Sequence, residues 1–340
     1  MTTPAPEAFP CLVLGGGGAK GAFQVGALDY LVSACGMRFP LITGVSVGAL
    51  NGAVLAQTPP GDLAQAIATL KTIWLAEIRG NDDVYLRRHL GASSIVLLKS
   101  DSLYDNTPLR RLVQRYLRLD ELRASPTRFR VGRVSLMSGR YVAVDQARIT
   151  LDDIIASTAF PYYFEPVTID GEPWADGGLR NVAPIETGLE MLRDCAPPGS
   201  RRLLIAVLAT PTTVRPVQNI DHLDDALKIL ERAIEILGAE AYEQDLRLAD
   251  DTNRHTGALE RLRARLIVGG KTPEEADRLF REAGIEPQPY PSCDIVKIEP
   301  TTRFQNVLDF SAARLRQAME NGWAAAAEAV KQARERGVPV

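Results

Sequence analysis

Twice between Cys11 and Gln57 a short apolar run gives way to glycines and then to a proline-free stretch. Cys11–Leu14 leads into Gly15–Gly21 and a helix expected over residues 21–35, and Leu41–Thr43 leads into Gly44–Gly48 and a helix expected over 47–57. Short, uninterrupted apolar runs read as strands buried on both faces, and their alternation with helices predicts a mainly parallel sheet covered by helices, an α/β fold. Ligands of such sheets bind outside the C-terminal ends of the strands, where both glycine loops fall.

Further along, residues 62–78 have helical apolar spacing, and Asn106-Thr107-Pro108 reads as a helix start with a capping side chain and proline in the first turn. Residues 129–137 and 141–145 flank Ser138-Gly139 as a hairpin, and 203–209 reads as another buried strand. From 221 to 284 the chain is charged and helical, without a strand of its own; a last strand follows from Cys293 and a long helix from 311 to 336. The expected organisation is a short disordered lead-in (1–9), a core (10–215), a helical insertion or peripheral layer (216–290), and a strand and helix completing the same domain (291–340). With 340 residues and 46% hydrophobic content, the chain has ample apolar surface for a core.

A net charge of −3 gives no global positive field, which argues against nucleic acid as a partner. The four cysteines are scattered, with no C-x-x-C pair, so neither a zinc site nor a disulfide framework is suggested, and reduced thiols in a cytoplasm fit. Residues 1–10 hold three prolines, one acid and no basic residue, unlike a secretory signal. Residues 39–61 carry no charge and are about as long as a membrane span. Gly44, Ser46, Gly48, Asn51 and Gly52 make that stretch too polar and flexible, and Pro59-Pro60 ends it, so it reads as buried strand, turn and helix rather than a transmembrane helix.

Gly44-Val45-Ser46-Val47-Gly48 matches G-x-S-x-G, which holds a nucleophilic serine on a strained turn between strand and helix. A serine at positive φ brings the residues two away on either side close together, so both must be glycine. The following helix points its N-terminus at the serine, favouring a developing alkoxide. A glycine-rich turn around an ordinary serine is the plainer alternative.

Gly15-Gly16-Gly17-Gly18-Ala19-Lys20-Gly21 follows one strand and opens a helix, so its amides form a nest for an anion. A dinucleotide site would require an acid some twenty residues on, which is missing, and a phosphate-binding P-loop would require lysine directly after the last glycine, whereas Lys20 precedes Gly21. An oxyanion hole facing Ser46 and a tight turn without chemistry both remain.

Three histidines, His89, His222 and His255, could complete a serine triad, yet all three sit in charged or polar surroundings that read as solvated. Asp176-Gly177-Gly178, after what reads as a turn at Gly171-Glu172-Pro173-Trp174, offers a carboxylate on an open backbone; alone, the motif reads by default as an Asx-turn.

In combination these segments resemble the patatin-like phospholipase family. The resemblance rests on Gly16–Gly21, Gly44–Gly48 and Asp176-Gly177-Gly178 in that order. It extends to Ala156-Ser157-Thr158-Ala159-Phe160-Pro161 with Phe164 and Pro166, to Asn181 and Pro184, and to Leu308-Asp309-Phe310-Ser311. Gly15 departs from the aspartate or serine often found before the three glycines. The resemblance implies a three-layer fold and a Ser–Asp dyad without metal or cofactor, with Ser46 as nucleophile, Asp176 as base and an oxyanion hole at Gly16, Gly17 and Gly18. Gly21, Gly44, Gly48, Gly177 and Gly178 are then motif support. The implied activity is hydrolysis of phospholipid or other acyl esters through an acyl-enzyme; a non-catalytic acyl-lipid-binding module and a partner-activated effector are the alternatives. Substrate choice is expected in residues 221–284 or 62–120. Leu259, Leu262 and Leu266, with arginines between, leave room for peripheral membrane contact, although such a stripe more often packs on its own protein.

Overall fold

The structure, a computed structural model, describes residues 8–88, 102–213, 216, 226–285, 292–301 and 306–340. Most of the expected lead-in, together with His89 and His222, lies outside them. In chain order the elements are β1 (Ala8–Leu14), α1 (Gly21–Asp29), β2 (Leu41–Val45), α2 (Val47–Ala56), α3 (Leu63–Thr72), β3 (Leu86–Arg87), β4 (Ser102–Asp105) and α4 (Thr107–Tyr116). Next come α5 (Leu119–Ala124), β5 (Arg128–Ser135), β6 (Tyr141–Asp145), α6 (Leu151–Thr158), β7 (Tyr162–Phe164), β8 (Val167–Ile169) and β9 (Glu172–Asp176). The chain ends with α7 (Ile185–Cys195), β10 (Arg201–Val207), α8 (Ala226–Val268), α9 (Pro273–Glu282), β11 (Asp294–Ile298) and α10 (Ala312–Glu335).

The main sheet runs β11-β10-β1-β2-β5, all parallel, and continues antiparallel through β9 and β8. β1 is buried on both faces beyond Phe9, as its apolar run requires. Its side chains alternate between two cores: Leu12 and Leu14 face α1, α2, α3 and α10, while Cys11 and Val13 face α7 and α8. Three layers result, with the sheet in the middle. β1 begins at Ala8, paired with Arg201, three residues before the apolar run that marks it in the sequence.

α1 is buried on every side from Gly21 to Leu28 because α10 crosses it almost backbone to backbone. A Cβ on Gly26 would collide with the Met319 carbonyl, and one on Gly322 with the Phe23 carbonyl. The uncharged stretch 39–61 forms β2 and α2, and among the described residues no helix is long and apolar enough to cross a membrane.

Several local expectations change in detail. The Asn106 side chain makes no cap bond; Asp105 accepts from the Thr107 amide (2.8 Å) and hydroxyl (2.6 Å) instead. Gly171-Glu172-Pro173-Trp174 is not a turn: the chain reverses at Asp170-Gly171, both at positive φ, and Glu172 already belongs to β9. The two charged helices α8 and α9 pack on each other through Arg263 and Asp277, 2.7 Å apart. Leu259 and Leu266 are half-buried while Leu262 is exposed, so the stripe packs only in part.

Candidate active site

Ser46 is the residue between β2 and α2, with φ 56° and ψ −130°. The turn is tight enough that a Cβ on Gly44 would strike the Gly48 carbonyl and one on Gly48 the Leu14 carbonyl, so both glycines are steric requirements of the elbow. Strain of this kind persists only where surrounding bonds over-determine the conformation. Here the Ser46 amide donates to Ser157 Oγ (2.9 Å), and the Ser46 carbonyl accepts from the Ala49 amide (2.9 Å) in the first turn of α2.

Asp176 arrives from the opposite direction. One edge of β5 pairs with β6 from Arg130 to Val134, and the other edge carries β2 and then β9. β2 stops with Val45 opposite Gly132, and β9, running antiparallel, stops with Asp176 opposite Arg133. Two strand ends therefore meet head-on along a single edge, one delivering Ser46 and the other Asp176. Gly177 fits against Val45 and the Gly132 carbonyl, where a side chain would clash.

The Asp176 carboxylate accepts from the Gly178 amide at 2.7 Å, an Asx-turn, and lies close enough to the Ser46 hydroxyl for that group to favour its charged form. Burial lifts the Asp176 carboxyl from 3.8 to about 7, while the nearby Ser46 hydroxyl and the Gly178 amide oppose the rise. Among the described residues no histidine lines this site, and His255 is exposed on α8.

The glycine loop lies across from this pair: a Cβ on Gly16 would sit 3.1 Å from Ser46 Cβ. The amide of Gly16 donates to the Val182 carbonyl (2.8 Å) and that of Ala19 to the Val307 carbonyl (2.8 Å). Gly17 and Gly18, between them, have no acceptor among the described residues. The loop is braced from behind by buried amides. Gln24 Nε2 donates to the Gly15 carbonyl (2.7 Å), Asn51 Nδ2 to Gln24 Oε1 (3.0 Å) and to the Gly21 carbonyl (3.1 Å), and Trp74 Nε1 to Asn51 Oδ1 (3.0 Å).

A cavity of about 220 Å³ opens from this point, larger than the ~150 Å³ apolar cavities that already admit benzene. Ser46, Asp176, Gly17 and Gly18 line its polar end, and Val54, Leu70, Trp74, Leu112, Phe164 and Phe310 are among the side chains of its apolar wall. Both segments singled out for substrate choice contribute, since Ile234, Gly238 and Tyr242 of α8 close another side. Phe310, from the 308–311 stretch, stacks on Trp74 at 6.3 Å. Three contributors carried no motif of their own. Ser157 was noticed only within the family-like segment. Lys20, buried with Nζ donating to Thr210 Oγ1 (3.2 Å), figures in the sequence only as part of the glycine loop, and Tyr242, fully buried against Gly15 with its hydroxyl 3.4 Å from the Val182 carbonyl, carries no signal there. A tyrosine in a charged 43-residue helix gives no local sign that it inserts beneath a glycine loop.

A family model described as patatin-like phospholipase matches residues 12–189, a span that includes both glycine loops, Ser157 and Asp176. Among solved structures, VipD from Legionella pneumophila is similar with a TM-score of 0.42 and 14% identity, covering 97% of this chain and 67% of that one. ExoU of Pseudomonas aeruginosa, in its complex with SpcU from the type III secretion system, aligns with a TM-score of 0.32 and 19% identity, covering 72% of this chain and 52% of that one. No curated protein matches. With its family model spanning residues 12–189 of 340, the chain belongs to the patatin-like phospholipase family, a family of lipid acyl hydrolases.

Proposed function

We propose that this chain hydrolyses carboxylic esters of phospholipids or other acyl lipids through Ser46 and Asp176 alone. Asp176 takes the Ser46 hydroxyl proton as Oγ attacks the ester carbonyl carbon, and the free amides of Gly17 and Gly18 receive the oxyanion. In the sequence-based reading Gly16 shared that role; its amide is engaged by Val182, which leaves it to support the loop. Collapse breaks the bond to the leaving alkoxide, which takes the proton from Asp176 and departs as an alcohol. Water then gives a proton to Asp176 and attacks the acyl-serine, and the fatty acid leaves as Oγ recovers that proton.

The observation that carries this reading is the meeting of the β2 and β9 ends along β5, which puts Ser46 and Asp176 together at the polar end of an apolar cavity. A base with a pKa near neutrality balances basicity against the fraction ionised, and the apolar wall suits an acyl chain. Turnover of a chromogenic short-chain ester and of a phospholipid panel by wild type, Ser46→Ala and Asp176→Asn tests it. The expected result is a loss of about 10³-fold or more in each variant with the fold intact. Activity surviving in Ser46→Ala refutes the mechanism. Absence of turnover in wild type as well favours a binding module or partner-activated effector.

A further inference from the structure

Ser46 leaves β2 with its amide turned out of the sheet ladder and outside the hydrogen bonding of α2. A buried N–H without an acceptor costs about 1–3 kcal/mol, so the strained elbow needs a partner there. That partner is the hydroxyl of Ser157, fully buried near the C-terminal end of α6. Its Oγ accepts from the Ser46 amide at 2.9 Å and donates its own proton to the Gly132 carbonyl at 2.7 Å. Gly132 is the register partner of Val45, and the next residue, Arg133, is the partner of Asp176. The hydroxyl thus continues the link between β2 and β5 through a side chain, at the point where the backbone turns away and β9 takes over the edge.

An ordinary helical serine or threonine returns its hydroxyl to a carbonyl of its own helix. Thr158 does so, donating to the Ile155 carbonyl at 2.8 Å. Ser157 instead bonds across to two other elements, and Thr158, not Ser157, lines the cavity.

Resting on the proposed roles of Ser46 and Asp176, we infer that Ser157 is a positioning residue that references the nucleophile's backbone to β5, the strand that also fixes Asp176. Nothing in this geometry brings Ser157 to the substrate. Its loss therefore acts on the Ser46–Asp176 alignment and not on binding.

Ser157→Ala, Ser157→Cys and a control, Ile155→Val, are compared with wild type; Ile155 is a buried neighbour on the same helix that does not line the active-site cavity. Ser157→Ala is expected to lower kcat by about 10–100-fold with KM within about twofold, since misplacement by about 1 Å costs on that order. Ser157→Cys, which keeps a weak donor and acceptor in place, recovers part of the loss. With the Ser46 hydroxyl displaced, Asp176 loses a neighbour that lowers its pKa, so the acid limb of kcat/KM moves to higher pH in Ser157→Ala but not in Ile155→Val. An NMR titration of the Asp176 carboxyl reads the same shift without turnover, and it decides the matter if wild type proves inactive. An unmoved Asp176 titration in folded Ser157→Ala, or a kcat loss matched by Ile155→Val at equal loss of Tm, overturns the inference. Failure of the Ser46–Asp176 reading is recognised separately, by activity that persists in Ser46→Ala.

Discussion

At Asp176 function and stability pull in opposite directions. Its carboxyl is raised from 3.8 to about 7, so between those values the folded chain holds a proton that the unfolded chain releases. The stabilisation from that proton is complete below 3.8 and is lost as pH rises through about 7, the range in which the base becomes competent. Asp176→Asn, uncharged throughout, is therefore expected to have a higher Tm than wild type at pH 8 and a similar one at pH 4 while losing activity. Thermal unfolding at the two pH values checks this, and an unchanged or lower Tm at pH 8 contradicts it. For wild type, kcat/KM is expected to fall about tenfold per pH unit below pH 7. At Gly48 the requirement is steric. Gly48→Ala drives a methyl into the Leu14 carbonyl and is expected to cost about 1–3 kcal/mol and to displace Ser46, seen as a lowered Tm and a loss of turnover. The elbow is legible in the sequence because its strained serine demands glycine on both sides, while the roles of the glycine loop and the aspartate come from the order of the three motifs together. Gly16 differs from Gly17 and Gly18 only through Val182, a contact from 166 residues away in a loop that no local pattern announces.

Among the elements, β5 and α8 do most to shape the site. β5 is read correctly as half of a hairpin with β6, but nothing local says that its other edge is shared end to end by β2 and β9. That sharing brings the strand ends carrying Ser46 and Asp176 together, and it is a property of register, which sequence periodicity leaves undetermined. α8 forms over a charged stretch read as a peripheral layer, and Tyr242 pins it beneath Gly15. Tyr242→Ala is expected to cost about 3–5 kcal/mol locally and to loosen α8, whereas Tyr242→Phe, which loses only a 3.4 Å bond, changes little. Hydrogen exchange along residues 226–268 distinguishes the two, and equal protection in Tyr242→Ala and wild type contradicts the anchoring role.

Over the whole molecule, the α/β class and the three layers follow from the two early strand–loop–helix repeats, because short apolar strands buried on both faces require helices on either side. The docking of the terminal helix does not follow. α10 reaches α1 only because Gly26 and Gly322 face each other's backbones, a coincidence of two positions nearly 300 residues apart. Tertiary assembly also brings a carboxylate and no described imidazole to the serine. The central claim is best tested by intact-protein and peptide mass spectrometry after exposure to a fluorophosphonate that forms a covalent adduct with activated serines. The chains to compare are wild type, Asp176→Asn and a triple variant with His89, His222 and His255 changed to alanine. The account predicts one adduct on Ser46 at similar rates in wild type and the triple variant and almost none in Asp176→Asn. Labelling lost with the histidines, or retained in Asp176→Asn, would contradict it.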